Sequence, residues 1–156
     1  MDLGLPSGLL WAKRNVTRNN QNPYDTSSYR NLFSWGNIDN CDHCLSGQTA
    51  YSASNGAKLT GNIPADSKYD AVRCIMGGDW RMPTKKEAQE LIDNCTFSCN
   101  DGIITATSNI NGNSIIFSGD VWASDEHWYT SSLFTMIWLS DIYDDTKAYR
   151  LHLGVS

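Results

Sequence analysis

Apolar and polar positions follow two different periods along the chain, and the change of period marks its organisation. Between Thr84 and Cys95, the residues Ala88, Leu91, Ile92 and Cys95 recur at helical spacing, which predicts a helix with one buried stripe. Thr84 with Glu87 makes a capping box behind Pro83, so this helix is predicted over Lys85 to Asn94. A shorter one is predicted from about Ser67 to Met76, stopped by Gly77-Gly78.

Downstream the period shortens. Thr96 to Ser98, Ile103 to Thr107, Ser114 to Ser118, Phe134 to Ser140 and Lys147 to Leu153 are brief strand-forming runs. Turn signals separate them, including Asn100-Asp101-Gly102 and Asn111-Gly112-Asn113. Upstream, Leu9 to Val16 is predicted as a strand after the turn Pro6-Ser7-Gly8, and Leu32 to Gly36 as a short strand ended by glycine. Residues 17–31 read as loop, and Asn37 to Ala65 as a long insertion or a loop with short ladders. Strand, two helices and then a cluster of strands is an α+β order, with helices set apart from an antiparallel sheet. No repeat or linker interrupts it, so residues 1–156 are expected to form one domain.

Composition narrows the partners. The net charge is −5 and the basic residues are scattered, with Lys13-Arg14 and Lys85-Lys86 the two adjacent pairs, which argues against nucleic acid. Six Trp and seven Tyr exceed what one small core needs, and the excess points to contact surface. No apolar run approaches a membrane span. The start at Met1-Asp2-Leu3-Gly4-Leu5 goes straight into strand-like sequence, as expected of a trimmed sequence or of a protein delivered without a cleavable leader.

Several segments resemble one family. Asp2-Leu3-Gly4-Leu5-Pro6-Ser7-Gly8-Leu9 with Trp11-Ala12 is similar to the opening of the paralogous-domain proteins of gut Bacteroidetes and Fibrobacter. Phe33-Ser34-Trp35-Gly36 resembles their "FAWGE" strand, and Gly77-Gly78-Asp79-Trp80-Arg81-Met82-Pro83-Thr84 their "GGNWRMPT" signature. Asn113-Ser114-Ile115-Ile116-Phe117 resembles "GNSIFLP". The resemblance implies a C-type-lectin-like fold, with two helices packed on short antiparallel strands and long loops. That scaffold is shared with formylglycine-generating enzymes and with the variable proteins of diversity-generating retroelements. In the variable proteins exposed positions near the C-terminus are rewritten; here the matching stretch is about 119–153, with Trp138-Leu139-Ser140 where "WSS" belongs. The chain ends at Gly154-Val155-Ser156 where relatives continue a strand, so a shortened last strand or a trimmed sequence is expected.

The candidate contact residues lie in that stretch. Trp122, Trp128 and Tyr129 are interleaved with Asp125, Glu126 and His127; some of the aromatics can be core, but burying all of them with the ionisable residues between is costly. Along Phe134 to Asp141, alternation sets Phe134, Met136, Trp138 and Ser140 against Thr135, Ile137, Leu139 and Asp141. The tryptophan fixed in the family assigns the first face to the core. Thr135, Ile137, Leu139 and Asp141 are then expected to face outward, with Tyr143 beyond them. The alternative is that a neighbouring loop buries both faces.

Other chemistry finds little support. Asp141, Asp144 and Asp145 lack the loop that calcium needs and read as a solvated turn. Cys41-Asp42-His43-Cys44 is half of a zinc motif, with Cys95 and Cys99 the only close partner pair; a disulfide and buried thiols remain open beside zinc, and no metal or cofactor is assigned. His43, His127 and His152 sit in no nucleophile motif, and no cysteine follows Cys99, which removes the reactive pair of the formylglycine-generating enzymes. The sequence therefore predicts no enzyme. It predicts a recognition domain for a protein or cell-surface ligand, outside the cell on a phage particle or bacterial surface, with an adhesive or glycan-binding module as the rival.

Overall fold

The computed structural model describes residues 1–16, 35–36, 59–118, 121–124, 127–130, 134–144 and 147–154. They form an α+β arrangement of few helices and small antiparallel sheets. Helix α1 is Ala71–Met76 and α2 is Lys85–Asn94. The strands are β1 (Cys95–Asn100), β2 (Ile103–Ser108), β3 (Ser114–Ser118), β4 (Val121–Ser124), β5 (His127–Thr130), β6 (Phe134–Asp144) and β7 (Lys147–Gly154). They pair as a β1-β2-β3 sheet and two ribbons, β4-β5 and β6-β7.

Helix α2 has the predicted bounds, and its capping box is complete. The Glu87 N–H donates to Thr84 Oγ1 at 3.2 Å, and the Thr84 N–H donates to Glu87 Oε2 at 2.9 Å. The pair satisfies two end donors that the helix leaves open, for about 1 kcal/mol. Ala88 and Leu91 are buried as expected, but Ile92 is 43% exposed, so the stripe is narrower than its spacing suggested. Helix α1 starts later than predicted because Asp70 caps it, accepting from the Arg73 N–H at 3.0 Å. The residues before it form a turn, with the Ser67 N–H donating to the Pro64 carbonyl and that of Asp70 to the Ser67 carbonyl.

One expectation upstream is corrected, and a second falls mostly outside the described residues. Leu9 to Val16 is not a strand. Asp2 and Leu10 make one isolated bridge, and Ile116 donates to the Lys13 carbonyl at 3.0 Å, but no ladder continues. This segment is held beside β3 by single bonds, and Leu10 is 61% exposed. Trp35 and Gly36 lie in a turn with Gly36 at φ +71°, while the rest of the expected strand at 32–34 lies outside the described residues.

The hairpins follow their turn chemistry. Between β1 and β2, Asp101 and Gly102 both have positive φ, 48° and 79°, the signature of a tight two-residue turn whose twist suits the strands. The β2–β3 turn is stapled to the N-terminus by the side-chain amides of Asn111 and Asn113, both donating to the Asp2 carbonyl. The buried Ser108 hydroxyl donates to the Leu3 carbonyl at 2.6 Å. Gly4 needs to be glycine here, since its φ is +65° and a Cβ would stand 3.2 Å from both Asn111 and Ile110.

Two cores result. The main one joins Leu3, Leu5, Ala88, Leu91, Cys95, Ile104, Ala106, Ile115, Phe117, Leu139, Leu151 and Leu153. A second gathers Trp35, Ile63 and Met82, with Trp138, Ile142 and Ala148 packed against it. The β6-β7 ribbon is the wall between them. Ile137 and Leu139 face the main core, and Trp138 and Ile142 the second.

A polar network anchors the second core to α2. The fully buried Asp70 carboxylate accepts from the Met82 N–H at 2.9 Å as well as capping α1. Arg81 forks onto Glu87 with contacts of 2.6 and 2.8 Å. This hydrogen bond holds the Glu87 carboxyl below its ordinary range, against the opposing effect of partial burial and with help from the Thr84 N–H. The same bond raises Arg81.

A depressed carboxyl stabilises the fold above its unfolded pKa and loses that contribution as pH falls through the folded one. Stability is therefore expected to drop on acidification below the ordinary glutamate range, by about 1 kcal/mol for this partly exposed pair. Denaturant titrations at stepped pH check it, and Glu87→Gln should flatten that part of the slope. An unchanged slope in the variant would assign the acid loss to other groups.

Candidate functional site

The C-terminal ribbons carry every predicted contact residue that falls within the described part. In β4-β5 the register pairs Trp122 with Tyr129, Ala123 with Trp128 and Ser124 with His127. Asp125 lies outside the described residues. Neither strand of this ribbon was predicted, although Val121-Trp122 and Trp128-Tyr129 flank a short polar step, which is a hairpin signal.

In β6 the expectation for the outer face is overturned. Thr135 is 1% exposed and Leu139 3% exposed, while Ile137 packs on the main core. The tryptophan of the family pattern is not a marker of the one buried face, because Trp138 packs on a separate core. The open alternative, with both faces covered, describes this strand. Thr135 shows the consequence, since its hydroxyl is sealed inside with no hydrogen-bond partner among the described residues.

Asp141 and Tyr143 emerge beyond the wall, and there the structure builds something the sequence did not show. The pairing of β6 with β7 loses register between Trp138 and Ile142 and again between Ile142 and Asp144. Bulges of this kind re-aim side chains at the end of a ribbon. The Asp141 carboxylate accepts from the Lys85 N–H at 2.7 Å, at the first turn of α2. Tyr143, 61% exposed, meets the Tyr149 ring edge-on at 5.3 Å. Lys85 Nζ stands 4.2 Å above the Tyr149 ring, within cation–π range. Lys85 and Tyr149 were missed because they lie far apart in sequence, and only the fold brings them together.

Reactive chemistry is sparse in the described part. Cys41, His43 and Cys44 lie outside it. Cys95 and Cys99 are not joined to each other or to Cys74 by a disulfide. Burial pushes the Cys95 thiol up, which keeps it protonated and unreactive at neutral pH. Among the described residues no three His, Cys, Asp or Glu side chains gather to hold a metal, and no helix is long and apolar enough to cross a membrane. Compared with protein-family models, curated proteins and solved structures, the chain finds no match.

Two measurements check this assignment of inside and outside. Thr135→Val is expected to leave the melting temperature unchanged or raise it, since a sealed, unbonded hydroxyl costs about 1–3 kcal/mol; a clear fall would mean the hydroxyl is bonded. In a thiol titration of the native protein, Cys74 should react quickly and Cys95 only on unfolding. Mass mapping of the labelled peptides distinguishes them.

Proposed function

We propose that the protein is a non-catalytic recognition module of C-type-lectin-like fold, related to the variable proteins diversified by retroelements. Its binding surface lies within residues 119–153 and takes a protein ligand, outside the cell on a phage particle or bacterial surface. The observation that best supports the reading is Tyr143, a large aromatic 61% exposed at the end of a ribbon whose root is set between two cores. Exposed aromatics on rigid mounts are the usual anchors of a binding surface.

The contact set is Trp122, Asp125, His127, Trp128, Tyr129, Asp141 and Tyr143. Thr135, Ile137 and Leu139 belong to the wall between the cores and are not part of it. The family-like blocks lend weight as well. The "WRMPT" stretch supplies Arg81 and Met82 to the network with Glu87 and Asp70, which is a structural task. Keeping structure in one part of the chain and contact in another lets the second vary without unfolding the first.

The double substitution Trp128→Ala with Tyr129→Ala is expected to weaken ligand capture at least tenfold, with the melting temperature nearly unchanged. Binding and melting are read on the same preparations, and loss of folding would place the two residues in the core. Sequencing the locus tests the diversification directly. A near-repeat of the C-terminal coding segment differing only at adenines, beside a reverse transcriptase gene, is expected; a locus with neither contradicts it.

A further inference from the structure

We infer that Asn111-Gly112 is a self-modification site. Deamidation there is held off while the segment 1–10 is docked, and once it occurs it loosens that segment irreversibly. Asn-Gly is the pair in which this chemistry meets least resistance, because glycine puts no side chain between its backbone nitrogen and the neighbouring side-chain amide. The turn is exposed, and a Cβ at Gly112 would meet nothing within 4 Å, so water and base reach it freely.

Water is the only co-reactant the step needs. Gly112 N gives up its proton to base and bonds to Asn111 Cγ, while Nδ2 takes up a proton and leaves as ammonia. Water then opens the succinimide ring at either carbonyl. One opening leaves aspartate at 111, and the other leaves isoaspartate, with the chain rerouted through the side chain. Nothing is oxidised or reduced.

Three hydrogen bonds oppose the first step. The Gly112 N–H donates to the Ser108 carbonyl at 3.0 Å, which keeps from base the proton that must leave. Asn111 Nδ2 donates to the Asp2 carbonyl at 3.2 Å, and its Oδ1 accepts from the Asn113 N–H at 3.0 Å, so the side-chain amide is fixed at both ends. Gly4 closes on the same amide, since a Cβ there would stand 3.2 Å from Nδ2. Asp2 and Gly4 both belong to the segment 1–10, so the lock depends on its docking. At about a factor of five for each hydrogen bond, the locked turn reacts roughly a hundredfold more slowly than the free chain.

The product does not rebuild the lock. A carboxylate only accepts, so position 111 no longer donates to the Asp2 carbonyl, which keeps its bond from Asn113 Nδ2 at 2.8 Å. Isoaspartate also adds a methylene to the backbone of a turn that is bonded back to Ser108. The segment so loosened carries Leu3 and Leu5 into the main core. A chemical event at the surface therefore weakens the attachment of two core residues.

To test this, the chain is held in mildly alkaline buffer, folded and in denaturant. The peptide containing Asn111 is followed by mass and chromatography, apart from that of the other Asn-Gly pair, Asn55-Gly56. Conversion at 111 is expected about a hundredfold faster in the unfolded chain, with isoaspartate among the products. Asn113→Ala removes one bond to the segment and leaves the Asn-Gly pair intact, and it is expected to speed conversion of the folded chain about fivefold. In the converted protein, the amides of Trp11 and Ile116, bonded to the Met1 and Lys13 carbonyls, are expected to exchange about fivefold faster, while Ile104 and Ala106 keep their rates. No conversion in the unfolded chain, or aspartate without isoaspartate, would overturn the site. Equal rates folded and unfolded, or no response to Asn113→Ala, would overturn the lock. Unchanged exchange at Trp11 and Ile116 after conversion would overturn the loosening.

Discussion

The arrangement depends on how the backbone of β6 is bonded where it leaves β7. Over residues 139–142 the strand turns its polar groups to other parts of the chain. The Trp35 indole N–H donates to the Leu139 carbonyl at 2.7 Å, and Ser140 donates to the Pro83 carbonyl at 2.9 Å. Ile63 donates to the Ser140 carbonyl at 2.8 Å, and Ile142 to Asn62 Oδ1 at 2.9 Å. Buried backbone groups without partners cost free energy comparable to a lost hydrogen bond. The register break is thus tolerable because Trp35 and Ile63 of the second core, with Asn62 and Pro83 next in the chain to its members Ile63 and Met82, supply these partners. In return, the second core is tied to the first through one strand.

That clasp links fold to surface. With Leu139 sealed in one core and Trp138 packed on the other, β6 is held from both sides as far as Ile142. Beyond it the ribbon projects, and Asp141 ties its base to the start of α2. A tyrosine at that tip can be exposed without being loose. The proposed recognition surface relies on this, because an anchor must be positioned before contact to keep its entropic cost low.

Much of this was legible in local sequence, and the rest was not for a definable reason. Helix α2 was readable to the residue because Thr84, Glu87 and the 88/91 spacing are all local signals. The β1–β2 turn was readable because Asp101-Gly102 has few other conformations. The face assignment in β6 failed because alternation tells which residues share a side, not how many sides are covered. A strand between two cores leaves no polar face, and Thr135 imitated one. Leu9 to Val16 had strand-forming residues but no partner strand among the described residues, so propensity gave way to tertiary context. The pairing of Lys85 with Tyr149 had no local trace at all. It arises from the packing of α2 against the last ribbon.

Native-state hydrogen exchange tests the central claim, that β6 is a load shared by both cores, most directly. If the clasp holds, the amides of Ser140 and Ile63 exchange only through global unfolding, at the same free energy as Ile104 and Ala106 in the middle of the main sheet. If Ser140 and Ile63 exchange much faster than those two while the main sheet stays protected, the second core opens on its own. The outer ribbon would then have no rigid mount.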